Sequence, residues 1–197
     1  MVSLRTFVVA IPFMALSTAG GAQNAAVPNG SVSGYERVGP TFGCHLTRDD
    51  VARQQTHPDF PEEFPCMRIG PLEMEMLRSD AEMILGKPAS TVMGNGRESF
   101  VYDFPADPSG AGYVVLTFKS NGRVDSLQLT GGAAPRVWQF SGITTGDSQQ
   151  ALANRFGQPL QTDNGTHPGF TILGYEPWTF SFELKDDRVW SIAIWEP

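Results

Sequence analysis

The chain has 197 residues, of which 41% are hydrophobic, 11% aromatic and 18% charged, and its formal net charge at pH 7 is −7. This apolar content is enough for a folded core and excludes a disordered chain. The negative charge argues against nucleic-acid binding, which needs clustered basic side chains to neutralise phosphates. The many glycines (21) and prolines (15) predict short strands and turns rather than a helical bundle.

The first 22 residues have the pattern of a secretory signal peptide. Arg5 supplies a positive charge, residues 7–16 form an uncharged apolar run, and small residues follow up to Ala22. Such a run of about ten residues is too short to span a bilayer, which takes roughly 20. We therefore expect cleavage after Ala22 and export across the inner membrane to the periplasm. Neither a lipid anchor nor a transmembrane segment is expected.

Cys44 and Cys66 are the two cysteines of the chain. In an oxidising compartment such a pair is expected to form a disulfide, and closing a loop of this length stabilises a fold by about 3 kcal/mol. Free thiols and a zinc site formed with His45 and His57 are the alternatives. Zinc is disfavoured because Cys44 and His45 are adjacent, whereas zinc ligands are typically separated by about two to four residues. No metal or other cofactor is predicted.

Two short amphipathic helices are predicted, each ending in Gly-x-Pro, at Gly86 and at Gly157. Pairs with capping-box spacing begin them, namely Ser79 with Glu82 and Asp147 with Gln150. Alternating apolar residues typical of antiparallel strands follow each helix. The predicted organisation is a signal peptide (1–22), a flexible leader (23–40), a disulfide-stapled segment (41–70) and two repeats (71–134 and 135–197).

Each repeat is predicted to close with a hairpin. In the first, a two-residue turn at Asn121–Gly122 places Leu116 opposite Leu127. In the second, a three-residue turn at 185–187 is expected to place Phe182 opposite Trp190. We favour this register because it gathers the large apolar side chains on one face of the sheet.

The order of helix, Gly-x-Pro, aromatic strand, hairpin and Arg-Val, with Arg123-Val and Arg188-Val at the same place in each half, resembles a known unit. It resembles the small α+β domain of the SmpA/BamE lipoproteins of the outer-membrane assembly machinery. Its doubling is similar to the β-lactamase inhibitory proteins, whose two copies share a curved sheet that grips an enzyme. The resemblance implies an α+β fold of two tandem helix-plus-antiparallel-sheet repeats over roughly residues 70–197.

No familiar catalytic motif occurs in the sequence. It lacks His-Glu-x-x-His, Gly-x-Ser-x-Gly, a phosphate-binding glycine loop and Cys-x-x-Cys. His57 and His167 each precede a proline, which favours exposed turn residues over general bases. We therefore predict a protein that is not an enzyme.

The solvent-facing side of the predicted sheet, on which Glu183 also lies, contains an uncharged surface of aromatic and hydroxyl groups, a composition typical of interface centres. This predicts a protein-binding module whose partner is another envelope or secreted protein. The predicted contact residues are Tyr113, Thr117, Gln128, Ser191 and Trp195. The alternative is a protein that binds a small ligand or a cell-wall fragment in a pocket between the repeats, near Trp138 and Phe140.

Overall fold

The structure, a computed structural model, describes seven stretches of the chain. The predicted signal peptide (1–22) lies outside them, as do His57 and most of the predicted leader. Within the described stretches no helix is both long and apolar enough to cross a membrane. The described residues are 33–38, 41–56, 66–94, 96–104, 112–165, 167–175 and 177–196.

Most of the described chain is antiparallel β structure, with three short helices. The elements in chain order are β1 (Gly34–Val38), β2 (Thr41–His45), α1 (Arg48–Thr56), β3 (Arg68–Ile69), β4 (Leu72–Glu73), α2 (Arg78–Leu85), β5 (Ser90–Gly94), β6 (Arg97–Asp103), β7 (Tyr113–Phe118), β8 (Val124–Thr130), α3 (Gln149–Phe156), β9 (Gln161–Asn164), β10 (Phe170–Gly174), β11 (Phe180–Lys185) and β12 (Arg188–Trp195).

Eight strands form one continuous sheet in the order β5-β6-β7-β8-β12-β11-β10-β9. Strands dominate the described chain and its three helices are short, so the predicted α+β fold of two tandem helix-plus-antiparallel-sheet repeats is wrong. The physical reason is that paired strands build the core, continuously across the pairing of β8 with β12, which sets Leu127 opposite Ile194. Pairing satisfies the backbone groups that two separate sheets would leave at open edges, and it places these apolar side chains together in one core.

One face of this sheet carries the core. Helix α3 buries Leu152 and Phe156 against it, and the Phe156 ring lies 5.2 Å from that of Phe180. Helix α2 contributes much less, since Ala81 is its buried residue and Met83 is 79% exposed. The two helices therefore bury few residues against the sheet, and the strands supply most of the core.

Residues 33–38, placed by the sequence in the flexible leader, form strand β1 and pair with β2. The buried ring of Tyr35 lies 5.6 Å from that of Phe180. The backbone N–H of Tyr35 donates to Ser141 Oγ (2.8 Å), and Arg155 donates to the Tyr35 carbonyl (2.6 Å). The sequence did not predict this strand because its composition is polar and rich in turn residues. Tyr35 is the aromatic side chain that packs it against the core.

The predicted disulfide between Cys44 and Cys66 is confirmed, and it excludes the zinc and free-thiol alternatives. It joins β2 to the segment that leads into β3. Cys66 is fully buried in the hydrophobic core. The covalent bond therefore ties the β1–β2 hairpin to the core of the sheet.

The helix ends are confirmed and the helix starts are not. Gly86 and Gly157 cap the C-termini of α2 and α3 with φ of 82° and 76°. Helix α2 has no side-chain cap, and Ser148 caps α3 by accepting from the N–H of Ala151 (3.2 Å). Asp147 does not cap, because its carboxylate accepts two hydrogen bonds from Arg136, both of 2.7 Å.

In the first hairpin Leu116 lies opposite Leu127 as predicted, but the predicted two-residue turn is wrong. The Lys119 N–H donates to the Arg123 carbonyl, so the turn has three residues, and a β-bulge next to Phe118 compensates for the extra residue.

The predicted register of the second hairpin is wrong. Asp186 and Asp187 form a two-residue turn with positive φ. The pairing of β11 with β12 then shifts at a β-bulge between Glu183 and Leu184. Phe182 therefore lies opposite Ile192, and Trp190 lies outside the core cluster.

We expect the double variant Cys44→Ala/Cys66→Ala to lose about 3 kcal/mol of free energy of unfolding, because its unfolded chain is no longer restricted by the crosslink. Urea unfolding of wild type and variant measures the loss. A reducing agent should lower the stability of the wild type by a similar amount and leave the variant unchanged. Equal stability of oxidised wild type and variant would contradict this role.

Candidate functional site

The side of the sheet opposite the core cluster is called the outer face here. Successive side chains of a strand point to opposite faces. On β7, Val114 and Leu116 belong to the core cluster, so Tyr113, Val115 and Thr117 lie on the outer face. The same alternation on β8 and β12 puts all five predicted contact residues on this face.

Cross-strand pairing arranges these residues in rows. In one row Tyr113 lies opposite Thr130, Thr130 opposite Ser191, and Ser191 opposite Glu183. In a parallel row Thr117 and Trp195 lie on either side of Ser126. Gln128 lies between the two rows, on β8.

A hydrogen-bonded network joins the centre of the outer face. The Thr130 and Ser191 hydroxyls are 2.9 Å apart, and Gln128 Nε2 donates to Ser191 Oγ (2.9 Å) and to Thr130 Oγ1 (3.2 Å). One strand further, Ser99 and Thr117 form a 2.8 Å hydrogen bond. Each hydroxyl thus has its partner within the sheet.

The network separates the predicted contact residues into two kinds. Thr117 and Ser191 are only 4% and 2% exposed, so their hydroxyls hold the face together rather than reach outward. Tyr113, Gln128 and Trp195 are partly exposed and present atoms to solvent. The structure places the five on one face, but only these last three offer a contact surface.

Glu183 is a charged side chain in the Tyr113 row, next to Ser191, and sequence reasoning did not propose it as a contact residue. Burial raises the pKa of its carboxyl above the usual 4.5, and the charge of His167 lowers it in part. Burial also raises the pKa of Tyr113, which the Thr130 hydroxyl lowers and the Glu183 charge raises further. Tyr113 and Glu183 are therefore close enough to affect each other electrostatically.

The turn between β9 and β10 borders the Glu183 carboxylate. A Cβ on Gly165 would lie 2.5 Å from Phe170 Cβ and 3.1 Å from Glu183 Oε1. Only glycine permits this close approach without a shift of the turn or of the carboxylate. The absence of a side chain at Gly165 thus keeps Glu183 in place beside the turn.

Aromatic rings continue the outer face beyond Glu183. The Trp190 and Phe170 rings are 6.2 Å apart, and Lys185 Nζ lies 4.9 Å from the Trp190 ring centroid and 5.6 Å from that of Phe170. The sequence placed Trp190 in the core, but the β-bulge turns it to this side. Strand alternation alone places Glu183 on the outer face.

Trp138 and Phe140, the residues of the predicted ligand pocket, are buried in the core. The Trp138 ring packs edge-on against Phe104 (4.8 Å), and Phe140 lies 5.1 Å from Phe180. They offer no accessible wall to a ligand.

A cleft of about 390 Å³ lies elsewhere, beside α3. Its lining includes Gln149, Ala153, Leu173 and Tyr175, and burial raises the pKa of Tyr175 to about 12. Among the residues that the structure describes, no group of three or more His, Cys, Asp or Glu side chains is arranged to hold a metal ion.

No protein-family model matches the sequence, and no curated protein matches it. The chain is similar to the crystal structure of a DUF4309 family protein (YjgB) from Bacillus subtilis, at 12% identity and a TM-score of 0.43. That similarity covers 76% of this chain and 95% of the other. The predicted resemblance to SmpA/BamE lipoproteins and β-lactamase inhibitory proteins is wrong, since one eight-stranded sheet, and not helix-plus-sheet repeats, dominates the described chain.

We expect Glu183→Gln to raise the free energy of unfolding at pH 7. Burial raises the folded-state pKa of Glu183 above its usual 4.5, so desolvation lowers the free energy of unfolding of the wild type once the carboxylate is ionised. The advantage of the variant should shrink as the pH falls through the raised pKa toward 4.5. Urea unfolding of both proteins at pH 7 and pH 4 measures it.

Glu98→Gln is the matched control, since Glu98 is exposed on β6 and the change in charge is the same. It should alter stability little at either pH. A stabilisation by Glu183→Gln that is the same at both pH values would contradict a desolvated carboxylate.

Proposed function

We propose that the protein is a non-enzymatic module that binds another protein through the outer face of its eight-stranded sheet. The observation that carries the proposal is the arrangement of Tyr113, Gln128 and Trp195, partly exposed around a fixed hydroxyl network. Aromatic side chains with few rotatable bonds are the usual anchors of protein interfaces. Hydrogen bonds beneath them reduce the entropy lost on binding, which favours affinity.

We also propose that binding takes place outside the cytoplasm. The Cys44–Cys66 disulfide supports this location, because structural disulfides persist in oxidising compartments. The expected signal peptide at residues 1–22 agrees with it. The partner would then be a secreted or envelope protein.

We expect Tyr113→Ala/Trp195→Ala to weaken capture of the partner at least about tenfold, because truncating interface anchors typically costs more than about 1 kcal/mol each. The protein, coupled to a resin, is used to isolate proteins from the extracytoplasmic fraction of its own cells. The affinity of the recovered protein for wild type and variant is then measured.

The control variant is Met83→Ala/Val137→Ala, which truncates two apolar side chains that are exposed away from the outer face. It should capture the partner as well as the wild type does. Equal capture by wild type and Tyr113→Ala/Trp195→Ala, with thermal unfolding of the variant intact, would refute the proposed face.

The cleft beside α3 favours a second candidate, a small-ligand binding function. Its volume of about 390 Å³ lies in the range of ligand sites, about 300–1,000 Å³. Screening cell-wall fragments for a rise in melting temperature tests this candidate. A hit whose effect disappears in Ala153→Trp, which fills the cleft, would support it, and a hit with the same effect in both proteins would contradict this site.

A further inference from the structure

Glu183 is a half-buried carboxylate without a counter-charge in contact. No hydrogen bond or ion pair joins its carboxylate to another side chain in the described part of the chain. Its cross-strand neighbours are the uncharged Ser191 on β12 and Ile172 on β10. An ionised group in such surroundings destabilises the free protein unless something else pairs with it.

We propose that Glu183 receives a basic side chain, an arginine or a lysine, of the protein that the outer face captures. The inference rests on the proposed function and names the chemistry that this face recognises. A guanidinium or ammonium group would pair with the carboxylate and remove the penalty that the free protein pays. Charge-assisted hydrogen bonds to carboxylates are among the strongest that proteins form.

The surroundings of Glu183 suit an incoming cation. Tyr113 approaches from β7, and the Phe170 and Trp190 rings lie on the other side, in the direction of the β10–β11–β12 strand ends. Lys185 already lies over these two rings, which shows that their faces accept a cation. The Ser191 and Thr130 hydroxyls are committed to each other and to Gln128, so the carboxylate is the free acceptor of the row.

Within the described chain, the other charged groups around Glu183 do not form an ion pair with it. The Lys185 ammonium, on the same face of β11, lies over the Trp190 and Phe170 rings instead. His167 acts on it from the β9–β10 turn, but not at ion-pair distance. Asp163 on β9, beyond Ile172 in the row, accepts a hydrogen bond from Gln161 (2.7 Å). The formal net charge of −7 would also steer basic partners toward the protein.

The test titrates the full chain with Nα-acetyl-arginine amide at low salt and pH 7.5, and follows the backbone amide signals of Ile172, Glu183 and Ser191 by NMR. Nα-acetyl-citrulline amide, which has the same shape without the charge, is the matched probe. We expect saturable shifts with the arginine compound only. Glu183→Gln should weaken this binding about two- to fivefold, the range for an ion pair that is partly exposed. Glu98→Gln should leave it unchanged.

Three outcomes would overturn the inference: no saturable shift, equal shifts with both compounds, or equal affinity in wild type and Glu183→Gln. This titration needs no partner, so its failure is distinct from failure of the proposed function, which the capture experiment with Tyr113→Ala/Trp195→Ala decides. Intact capture together with a negative titration would leave the proposed function standing and remove the role of Glu183.

Discussion

Strands β8 and β12 lie side by side at the centre of the sheet, and both faces of the molecule depend on this pairing. On one face it brings Leu127 beside Ile194 in the core. On the other it brings Thr130 within 2.9 Å of Ser191, which makes the hydroxyl network possible. The same backbone hydrogen bonds thus hold the core together and assemble the outer face, so that neither face could form from β5–β8 or β9–β12 alone.

Local patterns in the sequence were sufficient for local structure. Gly86 and Gly157 ended both helices because those positions take a positive φ, which glycine adopts most readily, and Asn121–Gly122 marked the first hairpin, although not its turn length. The sheet order was not predictable in the same way, since no local signal shows that β8 meets β12. The second hairpin failed for a related reason. The apolar residues of β12 alternate in the sequence as if the strand were regular. In the structure a β-bulge between Glu183 and Leu184 shifts the residues that lie opposite each other.

The sequence was sufficient to predict on which face of the sheet the candidate residues lie. It was not sufficient to predict which of them are exposed. Alternation placed Tyr113, Gln128 and Trp195 correctly, because a residue's side of a sheet depends only on its strand. Whether a hydroxyl is exposed or covered depends on its neighbours across strands, and Thr117 and Ser191 proved to be covered. That no side chain in the described ranges pairs with Glu183 is likewise a property of the assembled sheet. Strand pairing sets the uncharged Ser191 and Ile172 on either side of it.

The distance in sequence between the two central strands has a consequence for the order of events in folding. Thr130 and Ser191 are 61 residues apart, whereas β7 and β8 are joined by a short turn. Hairpins close quickly, but a contact over such a separation must first overcome the entropy of a long loop. The junction of β8 with β12 is therefore expected to form late. Until it does, a partly folded chain has no complete outer face, so the proposed recognition of a partner would be restricted to molecules that have finished folding.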